Sequence, residues 1–73
     1  MYQPRYLAYC KEHGNTPENQ LAQDGNTYPG GRMTGFMLWI SKQKRAFKQA
    51  SPQSFLHGDI ADQKAFDLFL GIL

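Results

Sequence analysis

Seventy-three residues with a formal net charge of +2 hold one small domain and argue for no class of partner by charge alone. A chain of this length buries only about 60% of the surface it exposes unfolded, and such a core supplies roughly 3–5 kcal/mol. The single Cys10 excludes an internal disulfide, so the remaining ways of adding stability are aromatic packing and self-association. Ten aromatic residues, five Phe, four Tyr and one Trp, make the first of these available, because each ring buries a large area.

In chain order, residues 4–13 (PRYLAYCKEH) are predicted to form a first helix. Pro4 suits an opening position and Gly14 the C′ site. Tyr2, Tyr6, Tyr9, Cys10 and His13 fall at helical spacing as a half-aromatic stripe, widened by Leu7 and Ala8. Residues 17–24 read as a short second helix, with Thr16 as N-cap, Pro17 at N1, Glu18 in the first turn and Gly25 as its stop. It offers only Leu21 and Ala22 to a core, which places it on the surface. Residues 25–31 (GNTYPGG) follow as a loop whose one anchor is Tyr28.

The stretch 28–49 organises the rest. Met33, Phe36, Ile40 and Phe47 lie within about 60° of arc at 100° per residue, with Met37 at the edge and Trp39 alongside. A strand through Phe36–Ile40 competes, since a short apolar run cannot be typed by periodicity alone. The continuation from Ser41 to Gln49, rich in Lys, Gln, Arg and Ala and free of Gly and Pro, decides for helix. Thr34 or Gly31 is the expected N-cap, and Ser51-Pro52 the stop.

After it, Ser51-Pro52 is expected to open one turn carrying Phe55 and Leu56 into an open end of the core, broken at Gly58. Asp59 then caps a last helix running to about Leu70, with Asp62 at N3. Its main stripe is Phe66, Phe69, Leu70 and Leu73, and Ala65, Leu68 and Ile72 form a second one. Two stripes on one helix require deep burial or a second partner.

The charge is uneven along the chain. Residues 32–48 carry Arg32, Lys42, Lys44, Arg45 and Lys48 with no acid, whereas Glu12, Glu18 and Asp24 precede them and Asp59, Asp62 and Asp67 follow. Either the acidic helices lie beside the basic one, or Lys42, Arg45 and Lys48 form an open basic face with Leu38 at its centre. An apolar residue beside an arginine can anchor a binding patch. The same face could instead meet nucleic-acid phosphates. The first two helices have helix-turn-helix proportions, but a recognition helix holding Glu18 and Asp24 and no basic residue argues against that route.

Chemistry-bearing groups are sparse. Cys10 and His13, with His57 and Asp59, lack the close-spaced ligand pairs of structural zinc sites, so no metal is expected. Cys10–His13 lacks an orienting group and a pocket for nucleophilic catalysis, so no enzyme is expected. Pro29-Gly30-Gly31 before a helix lacks the spacing of a phosphate loop, and no cofactor is expected. The opening MYQPRYLAYCKEHG lacks the apolar core of a signal peptide, and no apolar run is long enough for a bilayer. A cytoplasmic protein without membrane contact is expected.

The segments PRYLAYCKEHG, TPENQLAQD and YPGGRMTGFMLWIS resemble small open reading frames of tailed bacteriophages and enterobacterial prophages. The resemblance covers residues 4–47 or so and leaves the C-terminal helix outside it. It implies a bacterial cytoplasm and a gene acting on the host or on phage development. It assigns no catalytic or binding residue.

The sequence thus describes one all-α domain over residues 1–73, a small bundle of three main helices plus one or two short ones. Its expected core is Tyr6, Tyr9 or Cys10, Leu21, Met33, Phe36, Met37, Ile40, Phe47, Phe55, Phe66, Phe69 and Leu70. Its expected function is non-enzymatic binding of a host or phage protein through Leu38, Lys42, Arg45 and Lys48, with nucleic-acid binding by the same face as the alternative and homo-oligomers compatible with the small core.

Overall fold

The computed structural model describes residues 1–72; Leu73, placed by periodicity on the last helix's stripe, lies outside the described residues. The first helix, α1, spans Pro4–Glu12. Pro4 opens it without wasting an N–H, and the chain leaves it through His13 and Gly14. Gly14 N–H donates to the Lys11 carbonyl and Asn15 N–H to that of Cys10. This paired closure needs a left-handed residue at C′, supplied by Gly14 at φ +70°.

The second helix, α2, spans Pro17–Thr27, with the Thr16 hydroxyl accepting from Asn19 N–H at 3.2 Å. Gly25 does not stop it. A glycine inside a helix costs only about 1 kcal/mol, and this one lies against the Arg32 chain, whose Cγ would sit 3.0 Å from a Cβ there. α2 does lie at the surface, most of its residues being exposed, but what it buries is polar: Ala22 is exposed and Leu21 half-buried, while Gln20 and Asp24 are buried. Its inward face is polar because α1 presents it with a tyrosine hydroxyl.

The third helix, α3, spans Thr34–Ala50 and extends across both halves of the molecule. Neither Thr34 nor Gly31 is its N-cap; Met33 holds that position with backbone alone, and Gly31 carries the turn before it at φ +110°. On one half, α1 and α2 pack against Phe36. Tyr6 and Tyr9 meet that ring edge-on at centroid distances of 5.3 and 5.7 Å. Gly35 lets α3 come this close, because a Cβ there would lie 2.6 Å from the Tyr9 hydroxyl oxygen and 2.9 Å from Asp24 Oδ2.

On the other half, Phe47 is ringed by Phe55, Phe66 and Phe69 at 5.2–5.6 Å. Phe36 and Phe47 are eleven residues apart, three full turns, so one stripe serves both clusters. The stripe is rotated relative to its sequence-based placement. α1 docks on the Trp39 side, bringing Trp39 to 5.5 Å from Tyr9, and Met33 and Met37 are turned out, 48% and 61% exposed.

The fold is mostly helical but not purely so. After a 3-10 turn at Pro52–Ser54, Phe55–Leu56 (β1) pairs antiparallel with Asp59–Ile60 (β2), Phe55 opposite Ile60 and Leu56 opposite Asp59. The two-residue connection is His57-Gly58, with φ of +55° and +85°; positive φ at both positions is the requirement of the hairpin turn that matches strand twist. Leu56 therefore points to solvent and plugs nothing, while Phe55 is half-buried against Phe47. Buried Ser54 holds the ribbon's base, its carbonyl accepting from Ala61 and Asp62 N–H.

The last helix, α4, is only Gln63–Phe69. Asp59 is spent in β2, and Asp62 is the cap, accepting from Ala65 N–H at 3.0 Å. Gly71 closes the helix at φ +80°, which leaves Phe69 at its very end and 41% exposed. The described helices are four, of 9, 11, 17 and 7 residues, with the 3-10 turn and the ribbon between the third and the fourth. Arg5 ties α1 to α4: Nε donates to Asp67 Oδ1 at 2.7 Å, a second nitrogen donates to Gln63 at 2.7 Å, and the guanidinium lies 4.9 Å from the Phe66 centroid. None of the described helices is long and apolar enough to cross a membrane.

Candidate functional site

On the outer face of α3, Leu38, Lys42 and Arg45 follow one another at i, i+4 and i+7, a spacing that stacks side chains on one strip. All three are exposed, Leu38 at 57%. Among the described residues neither Lys42 nor Arg45 has a carboxylate within ion-pair distance. The acidic last helix does not cover this strip. Asp67 is taken by Arg5 and Asp62 by its own helix end.

The remaining cations are partly engaged. Lys44 reaches Asp59 at 4.0 Å from the flank of α3. Exposed Lys48 holds its ammonium 5.9 Å from the Phe55 ring centroid, and Arg32 lies along Gly25. The open basic strip is therefore narrower than the sequence suggests, centred on Lys42 and Arg45 with Lys48 at its edge. What it presents is an exposed leucine followed at one and two turns by cations rather than a broad positive field.

A second feature adjoins it that the sequence reading did not foresee. Between α1, α3 and the end of α4 runs a groove of about 670 Å³. Leu7 and Ala8 form its α1 wall, Trp39 and Gln43 its α3 wall, and Phe69 and Ile72 its far end. Trp39 is held in place by its indole N–H, which donates to the Glu12 carboxylate. The signals were present in the sequence. Leu7 and Ala8 make the apolar side of α1 wider than one neighbour needs, and Ile72 belongs to the unpaired second stripe at the C-terminus. Which helices would leave the gap was not written there.

The titratable groups inside the fold are structural. Asp24 Oδ2 accepts from the Tyr9 hydroxyl at 2.7 Å, and Oδ1 accepts from Gln20 Nε2 at 3.0 Å. Burial, then the Asp24 hydrogen bond, pushes the Tyr9 hydroxyl well above the usual tyrosine value. Burial, then neighbouring Cys10, pushes Tyr6 up to about 12. Cys10 is fully enclosed and burial raises its thiol too, the reverse of what a nucleophilic cysteine needs. His13 is at hydrogen-bond distance from the Tyr9 carbonyl, 2.9 Å through Nδ1, and His57 lies far along the chain at the exposed hairpin tip. Among the described residues no three His, Cys, Asp or Glu side chains gather as metal ligands.

In the Pro29-Gly30-Gly31 turn, Gly31 N–H donates to the Tyr28 carbonyl and the Gly31 carbonyl accepts from Thr34 N–H. Comparison of the chain with protein-family models, with curated proteins and with solved structures found no match.

Proposed function

We propose that this chain is a non-enzymatic interaction module, encoded by a phage or prophage, that binds an acidic surface of a host or phage protein in the bacterial cytoplasm. The observation that carries this reading is the strip Leu38–Lys42–Arg45, an exposed leucine followed by two cations that are unpaired among the described residues, on a helix with no acidic residue. Exposed charges steer encounter, and an apolar anchor among them supplies affinity once water is displaced. Lys48 extends the strip at one edge.

Affinity capture from host lysate, with and without nuclease, tests it. The wild-type chain is expected to retain a protein after nuclease treatment, and K42E/R45E/K48E is expected to lose it while keeping its helical circular dichroism. Nucleic-acid binding is the second reading, favoured by the same unpaired cations. It requires capture that nuclease abolishes, that weakens steeply with salt and that tolerates Leu38→Ala.

A further inference from the structure

Resting on that reading, we infer that the element of the partner seated on the α3 strip is an acidic amphipathic helix, antiparallel to α3, with carboxylates in its first turns and apolar side chains in the turns that follow. Leu38, Ser41, Arg45 and Lys48 recur at steps of three, four and three residues, and all are exposed. That spacing gathers them within about 80° of arc, on the side of α3 turned away from Phe36 and Phe47. Alternating steps of three and four make the seam on which a second helix packs, each of its side chains entering a hole between four residues. An added strand finds no partner there, because the main chain beneath the strip is committed to the helix.

The holes are graded in chemistry along α3. Thr34, Met37, Leu38 and Ser41, at i, i+3, i+4 and i+7, bound an apolar one, with Met37 61% and Leu38 57% exposed. One turn on, Leu38, Ser41, Lys42 and Arg45 bound a second, with a leucine at one end and two cations at the other. Ser41 is common to both. It is small, and its hydroxyl donates back to the Met37 carbonyl at 3.0 Å, so a guest side chain entering either hole strands no donor. Lys48 continues the positive end. Among the described residues no carboxylate lies within ion-pair distance of Lys42, Arg45 or Lys48, so the charge that a guest must match is uncompensated.

The grading also gives the guest its direction. Carboxylates are favoured in the first turns of a helix and cations in the last, and Arg45 and Lys48 lie towards the end of α3 at Ala50. Acids in the guest's own first turns meet them only when the two helices run antiparallel. A second copy of this chain offers no such helix among its described residues. The Glu12 carboxylate is held by the Trp39 indole, Glu18 is the one exposed acid of α2, and Asp67 is bound to Arg5.

The probes are fluorescein-labelled helical peptides read by anisotropy against the full chain. One has glutamates at i and i+4 and leucines at i+7 and i+11; the second has the same residues in reverse order, and the third has lysines for glutamates. Saturable binding of the glutamate-first peptide is expected, about tenfold weaker binding of the reversed one, and none of the lysine peptide. Leu38→Ala should weaken the glutamate-first peptide about tenfold, a change of about 1.4 kcal/mol. Ser41→Phe, which fills both holes from an exposed position, should do at least as much; Leu38→Ala keeps the test decisive should Ser41→Phe fail to fold.

No binding of the glutamate-first peptide, equal binding of its reverse or of the lysine peptide, or indifference to both Leu38→Ala and Ser41→Phe overturns the inference. Binding that K42E/R45E/K48E abolishes but that ignores residue order, Leu38→Ala and Ser41→Phe overturns it while leaving the strip as an acid-binding surface. Lysate capture that charge reversal does not alter sinks the strip reading itself, and capture that nuclease abolishes overturns both.

Discussion

Replacing Asp24 by Ala isolates what holds three helices together. Its carboxylate, on α2, is 4% exposed and accepts from the Tyr9 hydroxyl on α1 and from Gln20 Nε2, while Gly35 of α3 closes over the pair. Without it, the buried Tyr9 hydroxyl and one Gln20 N–H lose their acceptor. A buried donor left unsatisfied costs about 1–3 kcal/mol. Gln20 retains some compensation, since its amide also lies 3.3 Å from the Tyr9 oxygen. Alanine returns up to about 0.7 kcal/mol of helix propensity. The net expected loss is about 2–3 kcal/mol, most of the roughly 3–5 kcal/mol that a core of this size supplies.

The assay is urea unfolding followed by Trp39 emission and far-UV circular dichroism, with Tyr9→Phe/Gln20→Leu/Asp24→Leu as the matched control. Removing the acceptor together with both of its donors leaves no donor of the cluster unsatisfied, and Asn15 keeps Gln23 as a partner, so the triple variant should be at least about 1 kcal/mol more stable than Asp24→Ala. A wild-type midpoint for Asp24→Ala, or a triple variant no better than the single one, would refute the reasoning.

Phe36→Ala removes the ring on which Tyr6, Tyr9 and Trp39 converge; at about 3–5 kcal/mol it should leave the chain largely unfolded at room temperature, and a cooperative melt near that of wild type would contradict the core described. Cys10, enclosed with a raised thiol pKa, should resist iodoacetamide in the native protein and react fully in urea. Cys10→Ala should keep the fold, and added zinc should leave the melting temperature of the wild type unchanged. Tyr6 and Tyr9 are raised above an unfolded value near 10, so their contribution is complete below about pH 10. It is lost as pH rises further, at about 1.4 kcal/mol per pH unit for each tyrosine. Urea midpoints should accordingly fall steeply above pH 10, and a flat profile to pH 11.5 or so would mean these hydroxyls ionise as freely folded as unfolded.

What the sequence determined by itself is what local chemistry enforces. Pro4 and Gly14 bracket α1, Thr16-Pro17 starts α2, and the 3.6-residue recurrence of Phe36, Ile40 and Phe47 types α3 against a strand. The grouping of Leu38, Lys42, Arg45 and Lys48 on one face was also legible, but whether acidic helices cover that face was left open, and it is the fold that leaves all four exposed. Tertiary structure decided the rest. Gly25 looked like a stop because its low helix propensity is a local property, whereas the Asp24–Tyr9 bond and the Arg32 chain that carry α2 past it come from elsewhere. The ribbon at Phe55–Ile60 was hidden because His57-Gly58 is a weak hairpin signal and two residues per strand show no period. Asp59 and Asp62 are equally good caps on paper, and only the pairing of Asp59 with Leu56 assigns the role to Asp62. The groove is the furthest from the sequence. Leu7, Trp39 and Ile72 lie on three separate segments, and their common wall exists only because α1 docks on the Trp39 side of α3 and α4 ends too soon to fill the space.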